Sequence, residues 1–168
     1  ATGPLWFQLY HFNDEVTELL VTRAEAAGYK AICLTIDTPV PSPKERDVRN
    51  RLVRRPEVHW GSLRDRPDLI ALREVGVPDM ADWSPPGYTG LTWERLEWLR
   101  SLTGLPLVLK GLRTVEDAVL CAELGVDGIV VSNHGGRQLD STRSTIETLP
   151  SIADAVGDSM EVYLDSGV

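Results

Sequence analysis

Five short apolar runs punctuate the chain, at residues 6–10, 31–37, 105–110, 128–132 and 161–165. Several are rich in β-branched residues and nearly unbroken in hydrophobicity. That pattern predicts parallel strands covered on both faces, because a half-exposed antiparallel strand would alternate polar with apolar. Between the runs the apolar period changes to that of a helix. Val16, Leu20, Ala24 and Ala27 recur at helical spacing, with Gly28 placed to end the segment. Thr92 precedes a second helix starting at Trp93, with Leu91 and Leu96 as a hydrophobic staple and Gly104 as the stop. Thr114 caps a third, with Asp117 at its third position, Val115, Ala118, Ala122 and Leu124 as contacts, and Gly125 at the end. Ser144 and Glu147 have the spacing of a capping box, but Pro150 falls inside that helix. The expectation is therefore a later start, near Pro150 itself, where a missing N–H does no harm.

Alternation of strand and helix implies an α/β fold with a parallel sheet and right-handed crossovers. Five βα units are too few to close an eight-stranded barrel, which takes about 250 residues. An open doubly wound sheet is the alternative, but its glycine-rich phosphate turn is absent after the first strand, where Tyr10 is followed by His11-Phe12-Asn13-Asp14. The sequence stops at Asp165-Ser166-Gly167-Val168, directly after a strand, so the expectation is a piece of a barrel with residues absent at both ends. One excursion, from about residue 38 to residue 90, interrupts the alternation. It is rich in proline and arginine, including Arg46, Arg49, Arg51, Arg54, Arg55, Arg64 and Arg66. The arginines are interleaved with acids, which fits a solvated surface; an anion- or partner-binding patch is the alternative.

Composition narrows the picture. The 168 residues carry 25 acidic against 17 basic side chains, a net charge of −8, which argues against a dedicated nucleic-acid binder. No apolar run reaches the roughly 20 residues that span a bilayer, and no secretory leader is evident at the start. The two cysteines, Cys33 and Cys121, form no CxxC pair. They read as reduced, buried thiols, and a cytoplasmic setting is the expectation that follows.

Polar residues gather where the strands end: Gln8 and Tyr10, Thr35 and Asp37, Lys110, Ser132 and His134, and Asp165. In a βα-barrel those ends converge on one rim, where sites are built. Each residue alone admits a bland reading. Lys110 could snorkel to water or hold a developing negative charge. Tyr10 could pack in the core or turn its phenol toward a ligand oxygen. A lone His134 would be structural; with Gly135-Gly136 allowing close backbone approach and Arg137 three residues on, a catalytic histidine gains weight.

Ser132-Asn133-His134-Gly135-Gly136-Arg137-Gln138-Leu139-Asp140 resembles the signature of the FMN-dependent α-hydroxy-acid oxidases and dehydrogenases. Supporting matches run in order along the chain: Trp6-Phe7-Gln8-Leu9-Tyr10, Leu34-Thr35-Ile36-Asp37-Thr38-Pro39 with Glu45-Arg46-Asp47-Val48-Arg49-Asn50, Leu107-Val108-Leu109-Lys110-Gly111, and Leu164-Asp165-Ser166-Gly167-Val168. The resemblance implies a TIM (β/α)8 barrel, incomplete here at about strands three to seven, filling residues 1–168. It implies FMN as cofactor, with Gln8, Thr35 and Lys110 at the flavin ring, Ser132 near the ring and ribityl chain, and Asp165 and Gly167 in the ribityl and phosphate region. It implies His134 as base, Arg137 on the substrate carboxylate, and Tyr10 on the substrate hydroxyl. Lys44 stands where the family usually has a second carboxylate-binding arginine, and a point charge aims less sharply than a fork. Ser166 replaces a glycine of the phosphate loop, which predicts strain in a tight turn. The implied partner is a small L-2-hydroxy acid such as lactate or glycolate, with oxygen, a quinone or a cytochrome as acceptor and a homo-oligomer for the full-length protein. The alternative is a non-catalytic barrel piece that binds flavin weakly or serves as an interaction scaffold.

Overall fold

The computed structural model describes residues 2–11, 13–39, 45–51, 61–66, 68–69 and 91–166. Within these, five parallel strands form one sheet: β1 Trp6–Tyr10, β2 Ala31–Thr35, β3 Leu107–Leu112, β4 Gly128–Val131 and β5 Glu161–Leu164. They are hydrogen-bonded in chain order, β1-β2-β3-β4-β5. A doubly wound sheet would reverse its strand order at a switch point, and this sheet does not. In-order winding with right-handed crossovers keeps all the connecting helices on one face, as in an arc of a barrel. These helices are α1 Asp14–Ala26, α3 Trp93–Leu102, α4 Val115–Glu123 and α5 Thr145–Val156, while a short α2 covers Glu45–Arg49 in the excursion after β2.

The two faces follow from the two-residue period of a strand. Leu9, Ile32, Leu34, Leu107, Leu109, Ile129 and Val131 point to the helices and join the main core, all at 1 % exposure or less. Truncating one of these leucines to alanine costs about 2–5 kcal/mol. The opposite, concave face carries the intervening residues. Cys33, Val108 and Val130 form a small apolar cluster there, with Tyr163 against it. Trp6 meets Tyr163 edge-on at 5.1 Å.

Helix ends match the capping chemistry read from sequence. Asn13 accepts from Val16 N at 2.9 Å, Thr92 from Arg95 N and Thr114 from Asp117 N. Leu91 and Leu96 both pack on the main core, as a staple requires. Ala27 lies past the end of α1 and is exposed, so it leaves the predicted stripe. Cys121 and Ala118 are the buried residues of α4, and both cysteines are free and buried.

The expected late start of α5 is incorrect. The helix begins at Thr145 with the Ser144–Glu147 capping box formed, and Pro150 lies inside it. The lost backbone bond is outweighed by the buried stripe Thr145, Thr148, Ile152 and Val156. Four strands also differ in extent, β4 and β5 by ending one residue early. β3 starts at Leu107, since Pro106 lacks an N–H, and continues to Leu112. β2 ends at Thr35, although Ile36 N still donates to Lys110 O at 2.9 Å before the chain turns away at Asp37.

Most of the excursion, including Arg54, Arg55 and Lys44, lies outside the described residues. Its described residues from 61 onward are fastened to α1. Arg23 holds Asp65 through two hydrogen bonds of 2.9 and 2.5 Å, and Arg66 reaches Glu15 at 2.8 Å. Leu63 and Leu69 are buried in the main core. At the start of the sheet, Asp127 Oδ2 accepts from Leu107 N at 2.8 Å and from Arg100 at 2.9 Å, tying α3 to β3 and β4.

His11, directly after β1, is 5 % exposed. Its Nδ1 is 3.0 Å from Thr17 Oγ1, while Nε2 is buried without a hydrogen-bond partner among the described residues. Burial, aided by the nearby Arg95 guanidinium, pushes its pKa down against a smaller opposing pull from Asp14. A depressed folded pKa means that the unfolded chain takes the proton first. The stability from a neutral His11 is therefore full above the unfolded value of about 6.5 and is lost as pH falls through the folded one. His11→Gln, which does not titrate, is expected to flatten the fall in Tm between about pH 7 and pH 5. Identical Tm–pH curves for variant and parent would show that the ring is already charged or solvated.

Candidate active site at the strand ends

The concave face ends in polar side chains at the C-terminal rim of the sheet. Gln8 and Tyr10 come from β1, and Gln8 Nε2 donates to Thr35 Oγ1 on β2 at 3.0 Å. Thr35 is 4 % exposed. Lys110 leaves β3 toward the next two strand ends. Its Nζ donates to Ser132 Oγ at 2.9 Å and pairs with Asp165 Oδ2 at 2.9 Å. An ammonium this enclosed requires such partners, so the snorkelling alternative for Lys110 is excluded. Partial burial pushes the Asp165 carboxyl upward, but hydrogen bonds from Ser132 and Ser166 and the Lys110 ammonium outweigh it and hold the pKa below its ordinary value.

Ser132 is fully buried just beyond β4 and opens the loop that carries His134. Asn133 Oδ1 accepts from Gly136 N at 3.0 Å, closing a short 3-10 turn over His134–Gly136. His134, Gly135 and Gly136 all have positive φ, at 59°, 69° and 68°. For the two glycines that conformation is free; for histidine it is strained, a feature that clusters at functional sites.

The histidine is held by a residue that the sequence reading placed at a strand end but gave no role. Asp37 Oδ1 lies 3.0 Å from His134 Nδ1, and the Asp37 side chain is 6 % exposed. Its Oδ2 is buried with no hydrogen-bond partner among the described residues. Since a carboxylate accepts, Nδ1 carries the donated hydrogen and Nε2 of the neutral ring is left as the basic atom. The approach of Asp37 depends on Gly111. Strand β3 bulges between Lys110 and Leu112, and Gly111 takes φ +119° there. A Cβ on Gly111 would stand 2.5 Å from Asp37 Cβ and 2.6 Å from its Cγ. The signal available in the sequence was the Asp37 carboxylate itself, which sits at the end of a buried strand and needs a partner.

The remaining predicted residues stand apart. Arg137 is exposed in the turn after His134–Gly136, and among the described residues it has no ion-pair partner. Tyr10 is half-buried on the rim, with Gln8 Nε2 at 3.5 Å from its hydroxyl. Lys44 and Gly167 lie outside the described residues.

Comparison with known proteins matches the whole chain, residues 1–168, to the FMN-dependent dehydrogenase family. The chain belongs to that family. It is 46% identical over 165 residues to the L-lactate oxidase of Nostoc sp., covering 97% of this chain and 45% of that protein. It is 39% identical to glycolate oxidase 1 of Oryza sativa subsp. japonica, over 100% of this chain and 46% of that protein. A crystal structure of mandelate oxidase superposes with a TM-score of 0.81 at 41% identity, covering 97% of this chain and 44% of that one. The chain thus spans about half the length of the curated relatives it matches, and its five strands are a contiguous arc of the family's (β/α)8 barrel.

The rim suits this family's cofactor. A lysine ammonium, a glutamine amide and buried threonine and serine hydroxyls converge on one face, a donor set for a ring rich in nitrogen and oxygen acceptors. Gly111→Ala is expected to destabilise the fold by about 1–3 kcal/mol from backbone strain alone, before any displacement of Asp37. Urea unfolding measures this directly; a variant as stable as its parent would mean that the bulge relaxes freely.

Proposed function

We propose that the full-length protein oxidises a small L-2-hydroxy acid to the corresponding 2-oxo acid. The reading rests above all on the His134–Asp37 pair, which presents a histidine with a defined basic nitrogen on the same rim as the Lys110 ammonium. Membership of a family whose relatives are named lactate oxidase and glycolate oxidase supports it.

The reaction takes one proton from the substrate hydroxyl and a hydrogen with two electrons from the carbinol carbon. FMN, when bound, supplies the two-electron acceptor. His134 Nε2 takes the proton from the substrate hydroxyl, and Asp37 both fixes the tautomer and steadies the imidazolium by charge pairing. Lys110 would hold the flavin ring and supply a cation against the negative charge that the ring takes up. Gln8, Thr35 and Ser132 orient the ring, and Asp165 with the Gly167 backbone serves the ribityl and phosphate region. Arg137 offers a planar fork to the substrate carboxylate, and its exposure in the turn leaves that fork available. Tyr10 hydrogen-bonds the substrate hydroxyl oxygen, with Lys44 as a second, point-like positive charge toward the carboxylate. Oxygen, a quinone and a cytochrome all fit as final acceptor.

His134→Ala in the full-length protein is expected to leave FMN bound and to slow flavin reduction by L-lactate or glycolate about 10²- to 10⁴-fold. Anaerobic stopped-flow at the flavin absorbance band reads both quantities. Reduction at the parental rate removes His134 as the base.

A further inference from the structure

We propose that Ser166 is a positioning residue for His134, its hydroxyl pinning the backbone of the loop that carries the histidine. The proposal rests on the reading of His134 as base given above.

Ser166 lies two residues beyond β5, in a left-handed conformation with φ +80°. A serine is strained there and a glycine is not. What the hydroxyl gains is a set of contacts that no glycine could make. Ser166 Oγ donates to Asp165 Oδ1 at 2.7 Å. With its hydrogen so committed, the oxygen accepts from Asn133 N at 3.2 Å and Gly135 N at 3.0 Å, and it stands 3.2 Å from Ser132 Oγ. The amide between those two, His134 N, donates to Ser132 Oγ at 3.2 Å. Two serine hydroxyls thus hold the backbone amides on both sides of His134 and its own. Ser132 is in turn fixed by Lys110 Nζ, which also holds the other oxygen of Asp165.

The consequence is a closed circuit from the end of β5 to the histidine. The loop must keep three successive residues at positive φ, and only one of them is strained there. Asp37 fixes the ring from the end of β2, while the hydroxyls of Ser132 and Ser166 fix the backbone from the ends of β4 and β5. A base held from one side only would wander relative to the substrate, and a displacement of about 1 Å is enough to cost two orders of magnitude in rate. The Ser166 side chain acts on the reaction only through His134, so it touches neither substrate nor reacting atoms in this account.

Two substitutions in the full-length flavoprotein separate the hydroxyl from the backbone strain. Ser166→Gly removes the hydroxyl and relieves the strain; Ser166→Ala removes the hydroxyl and keeps the strain. Both are expected to lower kcat roughly 10- to 100-fold with KM within about twofold. FMN affinity is expected to stay within about threefold, and the Tm of Ser166→Gly to match or exceed that of Ser166→Ala. Amide hydrogen exchange, read for peptides covering 132–136, is expected to speed up in both variants, and this readout needs no turnover. Unaltered kcat in Ser166→Gly overturns the positioning role. So does a rate loss matched by an equal loss of FMN or of Tm, which would make the hydroxyl a support for cofactor or fold. Unaltered exchange at 132–136 overturns the pin itself. A parent that no 2-hydroxy acid reduces, yet whose loop exchange responds to both substitutions, fails the functional reading and leaves the pin standing.

Discussion

Every strand of this sheet runs the same way and pairs with its neighbour in chain order. That constraint places the five C-terminal strand ends on one rim, whatever their separation in sequence. Gln8 and Thr35 meet across 27 residues, Lys110 and Ser132 across 22, and Asp37 and His134 across 97. None of these pairs exists without the register of the ladder. A slip of one residue in any strand would turn its rim residue toward the helices and a leucine or isoleucine into the concave face.

The concave face is built against the usual economy of a core. Its floor is apolar but small, with Cys33, Val108 and Val130, and a lysine and several hydroxyls are enclosed above it. A charge in such a place is costly unless it is paired. Lys110 is paired with Asp165 and donates to Ser132 Oγ, while Ser166 Oγ donates to the other oxygen of Asp165. The Cys33 thiol shows the character of the floor: burial pushes its pKa up even though the Lys110 ammonium pulls the other way. Cys121, on the helix side, is pushed to about 12 by burial and by Asp117.

Much of this was legible beforehand because local chemistry and global fold agree. The apolar runs gave all five strands, and the caps at Thr92 and Thr114 gave the starts of α3 and α4. The polar strand ends pointed to the rim. What failed did so for identifiable reasons. Proline chemistry alone argued against a helix across Pro150, but the buried stripe from Thr145 to Val156 overrides one missing hydrogen bond. The role of Asp37 could not be read from spacing, because its partner is contributed by a loop 97 residues away. Gly111 was visible only as part of a motif; its reason is a bulge whose geometry appears once β2, β3 and the Asp37 side chain are placed together.

Two of the four described non-glycine residues with positive φ, His134 and Ser166, lie at the site, joined through the Gly135 amide on Ser166 Oγ; Arg51 and Ser141 lie elsewhere. Each such residue costs about 1–3 kcal/mol, a sizeable share of the stability of a domain. A sequence free of functional demands would place glycine at both, and glycine does occupy the neighbouring positions 111, 135 and 136. The proposed role as base calls for histidine at 134, which must accept the backbone that the tight turn after β4 imposes. At 166 no reacting group is needed, so the strain there is explained by the hydroxyl's contacts: one carboxylate and two loop amides. The bulge at Gly111 completes the same logic from the other side, opening room for Asp37 so that the histidine ring and its backbone are each fixed by a different strand end.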